Sequence, residues 1–108
     1  MDYDKRMRIF DRDAWMCPCG YPVRFFHTEQ IAHRIHKGKQ STNYIIYFIR
    51  DNYKEDVSRK WVYENVLNHD KNIIGVCSAI CNDAQNIFFK NMERDNLLRE
   101  ILEEELKY

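Results

Sequence analysis

The chain has 108 residues, 17 Lys and Arg balanced by 17 Asp and Glu, and 14% aromatic residues beside only three glycines and two prolines. That size points to one domain with a limited core, and the aromatic-rich composition excludes a disordered chain. No apolar run approaches the ~20 residues of a membrane span, and a net charge of zero leaves any attraction for nucleic acid to local patches.

Residues 1–13 mix acids with bases and lack the apolar stretch of a signal peptide. The expectation is a cytoplasmic protein with no membrane partner. WMCPCG at 15–20 predicts a tight turn, since Pro18 and Gly20 are both turn formers. Residues 21–26, with Val23, Phe25 and Phe26, predict a short strand. Ile31, His33 and Ile35 alternate with Ala32 and Arg34 and predict a second strand, with His33 on the face of the two isoleucines. These two strands are expected to pair as a hairpin-like ribbon.

Gly38 and Ser41 mark a break. YIIYFI at 44–49 is apolar almost throughout, so strand and helix both fit. Residues 56–67 predict a helix, with Asp56 as N-cap and Val57, Trp61, Val62 and Val66 on one face. Residues 68–72 read as a polar loop. After Cys77 a helical period runs through Ile80, Ala84, Ile87 and Phe88 to Leu98, Ile101, Leu102 and Leu106, with Ser78 placed to cap its start. Polar Arg94 and Asp95 interrupt it, so one long helix and two shorter ones both fit. The stripe of Leu98, Ile101, Leu102 and Leu106 suits core packing or a homodimer seam. Glu103, Glu104 and Glu105 lie where the helix dipole disfavours them, and fraying is expected there.

The four cysteines form two pairs, Cys17-x-Cys19 and Cys77-x-x-x-Cys81. In a reducing compartment such pairs read as metal ligands, whereas in an oxidising one two disulfides running between the pairs would compete. Tetrahedral zinc takes four thiolates at about 2.3 Å, and a turn plus the first turn of a helix supplies two each. Cys77 and Cys81, at i and i+4, share one face of a starting helix. The pattern is that of a treble-clef zinc site, with a C-x-C pair in place of the commoner C-x-x-C. Four unrelated buried thiols are the plain alternative.

Between and beside these pairs stand IAHRI at 31–35, NIIGVC at 72–77 and Asn82 directly after Cys81. With CPCG, these segments resemble the HNH nucleases, or ββα-metal nucleases. Zinc-bearing members of that family carry a CxxCG knuckle, a strand with a histidine, an Asn-Leu-x-x-Leu-Cys segment, and Cys followed by His or Asn. The resemblance covers about 17–86, with an insert of about 37–68 that reads as a DNA-contacting element or an added layer of core. It implies an α+β fold: a small ββα-metal (treble-clef) zinc domain, with added helices from the insert and the C-terminal segment. Within a single domain over 1–108, the motif core would span about 15–91 and the C-terminal helix about 92–107.

The resemblance also implies an activity, hydrolysis of phosphodiester bonds in DNA. His33 matches the general base, Asn72 the central Asn that pins the loop, and Asn82 a ligand on the helix for Mg²⁺ or Mn²⁺. Asn86, one turn on, falls where some members carry a second metal ligand. The zinc would be structural, bracing His33 against Asn82. Arg34 would lie beside the reacting phosphate, Lys37 and Lys39 along the nucleic-acid backbone, and His69 at a phosphate or in support of the loop. One departure is Ala32, where many members carry Asp or His as a further metal ligand. It gives the alternative of a catalytically inactive module that binds nucleic acid or a protein partner. Arg34, His36, Lys37 and Lys39 meet no acid between Glu29 and Asp51, the local charge a phosphate backbone needs. Lys5, Arg6, Arg8 and Arg12 add bases near the N-terminus, while His27 and His36 read as surface residues.

Overall fold

The computed structural model describes residues 3–23 and 30–107. Their order is α1 (Tyr3–Arg12), β1 (Gln30–His33), α2 (Lys39–Tyr53), α3 (Arg59–Val62), a π-helical turn (Tyr63–Leu67), a 3₁₀ turn (Asp70–Asn72), β2 (Ile73–Val76), α4 (Ala79–Ala84) and α5 (Asn91–Glu105). This is an α+β domain with one two-stranded antiparallel sheet among its described residues.

The sheet differs from the expected ribbon. β1 pairs with β2, from Gln30 opposite Val76 to His33 opposite Ile73. Of the expected strand at 21–26, Pro22 makes an isolated bridge to Met16, while residues 24–26 lie outside the described residues, as does His27. NIIGVC is thus a strand as well as a motif: Ile73 and Val76 bury their side chains, and Gly75 admits the Phe10 ring where a Cβ would stand only 2.5 Å from it.

Two apolar clusters organise the packing. Near the cysteines, Phe10, Val23, Ala32 and Val76 surround buried Cys17. The larger cluster joins the insert to α5, with Ile45, Phe48, Ile49, Val62 and Val66 meeting Leu97, Leu98, Ile101 and Leu102. The insert is therefore a layer of core, and YIIYFI is helical because its burial follows a helical period. Of the C-terminal stripe, Leu98, Ile101 and Leu102 face the chain's own core and are fully buried there, and partly buried Leu106 packs against them.

Capping sets several boundaries apart from those expected. Ser58, not Asp56, caps α3: its side chain accepts from Trp61 N–H at 3.0 Å, while Asp56 pairs with Arg50. Ser78 caps α4 by accepting from Cys81 N–H at 3.4 Å. The long C-terminal period breaks at 85–90, ahead of Arg94. Arg94 is buried, with its guanidinium 3.8 Å from the Tyr44 ring centroid and hydrogen bonds to Phe88 O, Tyr44 Oη and Asp95. At its other end α5 stays helical through Glu105, because Glu104 reaches Lys71 at 3.2 Å and Glu105 reaches His69 at 3.3 Å.

The bases of α1 serve the fold. Lys5 donates to Asn68 O, Arg8 to Asp70 at 2.9 Å, and Arg12 to Asp70 O and Ile73 O at 2.7 Å each. These ties fasten α1 beside the entry to β2.

Candidate metal centre and active site

The knuckle begins where α1 ends. Ala14 and Trp15 both take left-handed backbone, at φ 55° and 56°, which is costly for residues with a Cβ. The cost is offset locally: Trp15 stacks on Phe10 at 5.0 Å, and its indole N–H donates to Asp11 at 2.7 Å. The chain then closes on itself. Cys17 N–H donates to Tyr21 O at 2.8 Å, Gly20 N–H donates to Cys17 O at 2.9 Å, and Gly20 has φ 95°. Cys17 and Cys19 thus sit on a narrow loop facing the start of α4.

All four sulfurs lie within 4.8 Å of one another. Cys19 is 3.6 Å from Cys77, and Cys77 is 3.6 Å from Cys81. A tetrahedral zinc with bonds of ~2.3 Å sets sulfur–sulfur edges of ~3.8 Å. The donor set therefore fits one metal ion, and four soft sulfurs with no oxygen donor suit zinc. A hydrogen bond from the Tyr21 backbone helps pull the Cys19 thiol down to about 7, while desolvation pushes Cys77 up to about 12. Such a group needs a cation before it can hold four thiolates together.

The opposite end of the ribbon is held by Asn72. Its side chain is fully buried, and Oδ1 accepts from Ile35 N–H at 2.8 Å. Nδ2 donates to Ile35 O at 3.1 Å and to Leu67 O at 2.9 Å, and Arg34 N–H donates to the Asn72 carbonyl at 2.8 Å. One amide thus joins the exit of β1, the π-helical turn and the entry to β2, although 37 residues separate it from Ile35.

His33 ends β1 next to this clamp. Its Nε2 lies 3.0 Å from Asn68 Oδ1, which can only accept, so Nε2 carries the proton and Nδ1 presents the lone pair. Burial holds the imidazole below its ordinary range, with Lys37 and Lys5 adding to the effect against the opposing Asn68 hydrogen bond. The ring is neutral at pH 7, as a proton acceptor must be.

The expected ligands stand elsewhere. Asn82 Nδ2 donates to Gln30 Oε1 at 2.8 Å, at the far end of β1 from His33. His33 and Asn82 therefore do not share a hydrogen-bonded group. Asn82 Oδ1 remains available as a single oxygen donor. Asn86 Oδ1 already accepts from Phe88 N–H at 2.9 Å and lies 3.2 Å from His36 Nδ1, so it suits a structural role better than a cation. His36, expected at the surface, is half-buried and sets its ring against Phe88. Ala32 is fully buried among the residues around Cys17 and supplies no donor.

His69 lies against acids. Its side chain is only 9% exposed, with Nε2 3.5 Å from Glu104 and 3.3 Å from Glu105. Nδ1 accepts from Lys71 N–H at 3.0 Å, which places the proton on Nε2 and aims it at the carboxylates. That arrangement turns the ring toward acids, and a ring nitrogen with one oxygen each of Glu104 and Glu105 lies close enough to hold a metal ion, the ligand atoms being within 4.8 Å of one another. Lys37 lies exposed with its ammonium 5.8 Å from the Tyr63 ring centroid, Lys39 opens α2, and Arg34 is half-buried. Sequence reasoning missed Gln30 and Asn68, neutral amides whose roles appear only once the strands pair.

Compared with protein-family models, curated proteins and solved structures, the chain gives no match. Among the described residues no helix is long and apolar enough to cross a membrane.

Proposed function

We propose that the chain is a zinc-braced ββα-metal domain of treble-clef, HNH type, and that it hydrolyses phosphodiester bonds in DNA in a metal-dependent reaction. The observation that carries this reading is the Asn72 clamp. It fixes the turn immediately after His33, on a ribbon whose other end meets the four cysteines. A bare structural zinc knuckle has no need of a neutral, oriented histidine at that point.

In this reading the His33 imidazole takes a proton from water at Nδ1, while Nε2–H donates to Asn68 and holds the tautomer. Asn82 fits as the protein ligand of a divalent ion that keeps most of its waters. When bound, Mg²⁺ or Mn²⁺ supplies the charge that stabilises the pentavalent phosphate and the leaving oxygen. Arg34, Lys37 and Lys39 supply positive charge along the incoming backbone.

The second reading, a module that binds nucleic acid without cutting it, is favoured by Ala32, which offers no ligand to a catalytic ion. One experiment separates the two. Zinc-loaded protein is incubated with supercoiled plasmid and Mg²⁺ or Mn²⁺ beside a His33→Ala control, and binding to duplex DNA is measured in parallel. The nuclease reading expects nicking by the parent alone. Binding with no nicking under either ion, or equal nicking by the control, sinks it.

A further inference from the structure

Helix α2 buries one side, including Ser41, Ile45 and Ile49, and turns the other to solvent. By its helical period, Lys39, Asn43, Tyr47 and Arg50 share the outer side, and Lys54 extends it at the left-handed C-cap. Arg59, which opens α3, donates to Asn43 Oδ1. The Arg50 guanidinium stands 5.7 Å from the Tyr47 ring centroid, and Tyr47 itself is 59% exposed. The acids near this face are Asp51 at its edge, exposed Glu55 directly after Lys54, and Asp56, which meets Arg50 at 2.9 Å. Four cations thus surround a neutral centre of Asn43 and Tyr47, and Arg59 is positioned by a neutral partner that leaves its charge intact.

We propose that the outer face of α2, together with Arg59, is a platform for the phosphate backbone of duplex DNA. The inference rests on the endonuclease reading and deepens it by naming where the substrate lies outside the His33 site. Its chemistry is charge complementarity: a duplex carries one negative charge per ~1.7 Å, and each paired cation releases counterions. From Lys39 to Lys54 the helix runs ~22 Å, long enough to cross a major groove ~12 Å wide and meet phosphates on both sides. The platform also connects to the active-site edge. Lys37, four residues after His33, lies over Tyr63, which continues the helical segment that Arg59 begins.

The test is fluorescence anisotropy with a labelled DNA duplex across a range of salt, in the His33→Ala background so that nothing is cut. Lys39→Gln, Arg50→Gln, Lys54→Gln and Arg59→Gln combined should weaken binding at least about tenfold near 0.1 M salt. They should also flatten the slope of log K against log salt by about 3. Because three of these changes also remove intrachain contacts, Arg50 to Asp56, Lys54 to Asp51 O and Arg59 to Asn43, Asp51→Lys serves as the counter-variant. It should tighten binding and steepen the slope by about 1, a result misfolding does not produce. Unchanged affinity in the fourfold variant, or no gain from Asp51→Lys, overturns the platform. If the parent still nicks plasmid, the nuclease reading survives that outcome. A parent that binds no duplex DNA, or binds only duplex RNA, overturns the platform, and absence of nicking then overturns the nuclease reading separately.

Discussion

Replacing Asn72 with Ala removes three hydrogen bonds from a side chain with no solvent exposure. The partners left behind are backbone groups, Ile35 N–H, Ile35 C=O and Leu67 C=O. Each stranded buried group costs about 1–3 kcal/mol. A water entering the vacated space recovers part of that, which leaves an expected loss of about 4 kcal/mol. Domains of this size hold about 5–15 kcal/mol in total, so the loss takes a large share. With a urea dependence of about 2 kcal/mol/M, the unfolding midpoint of the zinc-loaded protein should fall by about 2 M. Asn72→Asp keeps the shape but sets a carboxylate against two carbonyls, and it should cost at least as much. A midpoint within about 0.5 M of the parent for Asn72→Ala would refute the reasoning, because the clamp would then be carrying no free energy.

The other expectations follow from named contacts. Elemental analysis should find one zinc per chain, and Cys81→Ser should lower that occupancy and remove the cooperative unfolding seen in the parent; full occupancy in the variant contradicts the four-sulfur site. Because burial lowers the His33 pKa, the acid limb of the nicking rate should have its midpoint below the ordinary histidine value of about 6.5; a midpoint above it argues against His33. By the same sign, the His33 contribution to stability is present at neutral pH and is lost as pH falls through about 6.5, since the unfolded chain takes up that proton first. Gly75→Ala would set a Cβ 2.5 and 2.6 Å from two Phe10 ring carbons, and thermal unfolding should show a loss of about 1–3 kcal/mol. Arg94→Met leaves Phe88 O and Asp95 without their cation and should cost about 3 kcal/mol in denaturant unfolding; a change under 1 kcal/mol contradicts a structural role.

What could be read from the sequence follows the range of the interaction. The cysteine pairs were legible because a turn and a helix start are local, and thiols at those spacings have few other uses. The helical period after Cys77 was legible for the same reason. Strand pairing was not: 37 residues separate Ile35 from Asn72, and nothing near β1 tells a neighbour at 21–26 from one at 73–76. Helix α1 was missed although YDKRMRIFDR carries a local signal, an amphipathic pattern with Ile9 and Phe10 on the buried side, Asp4 in the first turn and Arg12 in the last. What no local pattern announces is that its bases reach Asp70 and distant carbonyls. Ser58 took the capping role expected of Asp56 because the Asp56 carboxylate was drawn to Arg50, a tertiary partner. Arg94 read as an interruption and proved to be a core residue, since cation–π and carbonyl partners suit a guanidinium only when three segments meet.

The cysteines and His33 stand at opposite ends of one short ribbon, and that separation has a physical consequence. Cys77 follows Val76, which pairs with Gln30, whereas Asn72 precedes Ile73, which pairs with His33. Only the four residues of β2 separate Asn72 from Cys77, a rise of ~17 Å from the clamp to the cysteine cluster. A metal at one end therefore fixes the register of the ribbon, and a one-residue slip would carry Ala32 out of the core and turn His33 into it. The clamp at the other end fixes the angle of the chain as it leaves His33. Either tether alone leaves one end of the strand pair free to fray, so loss of zinc should reach His33 by way of the register of β1 and β2, with no direct contact between the metal and the imidazole.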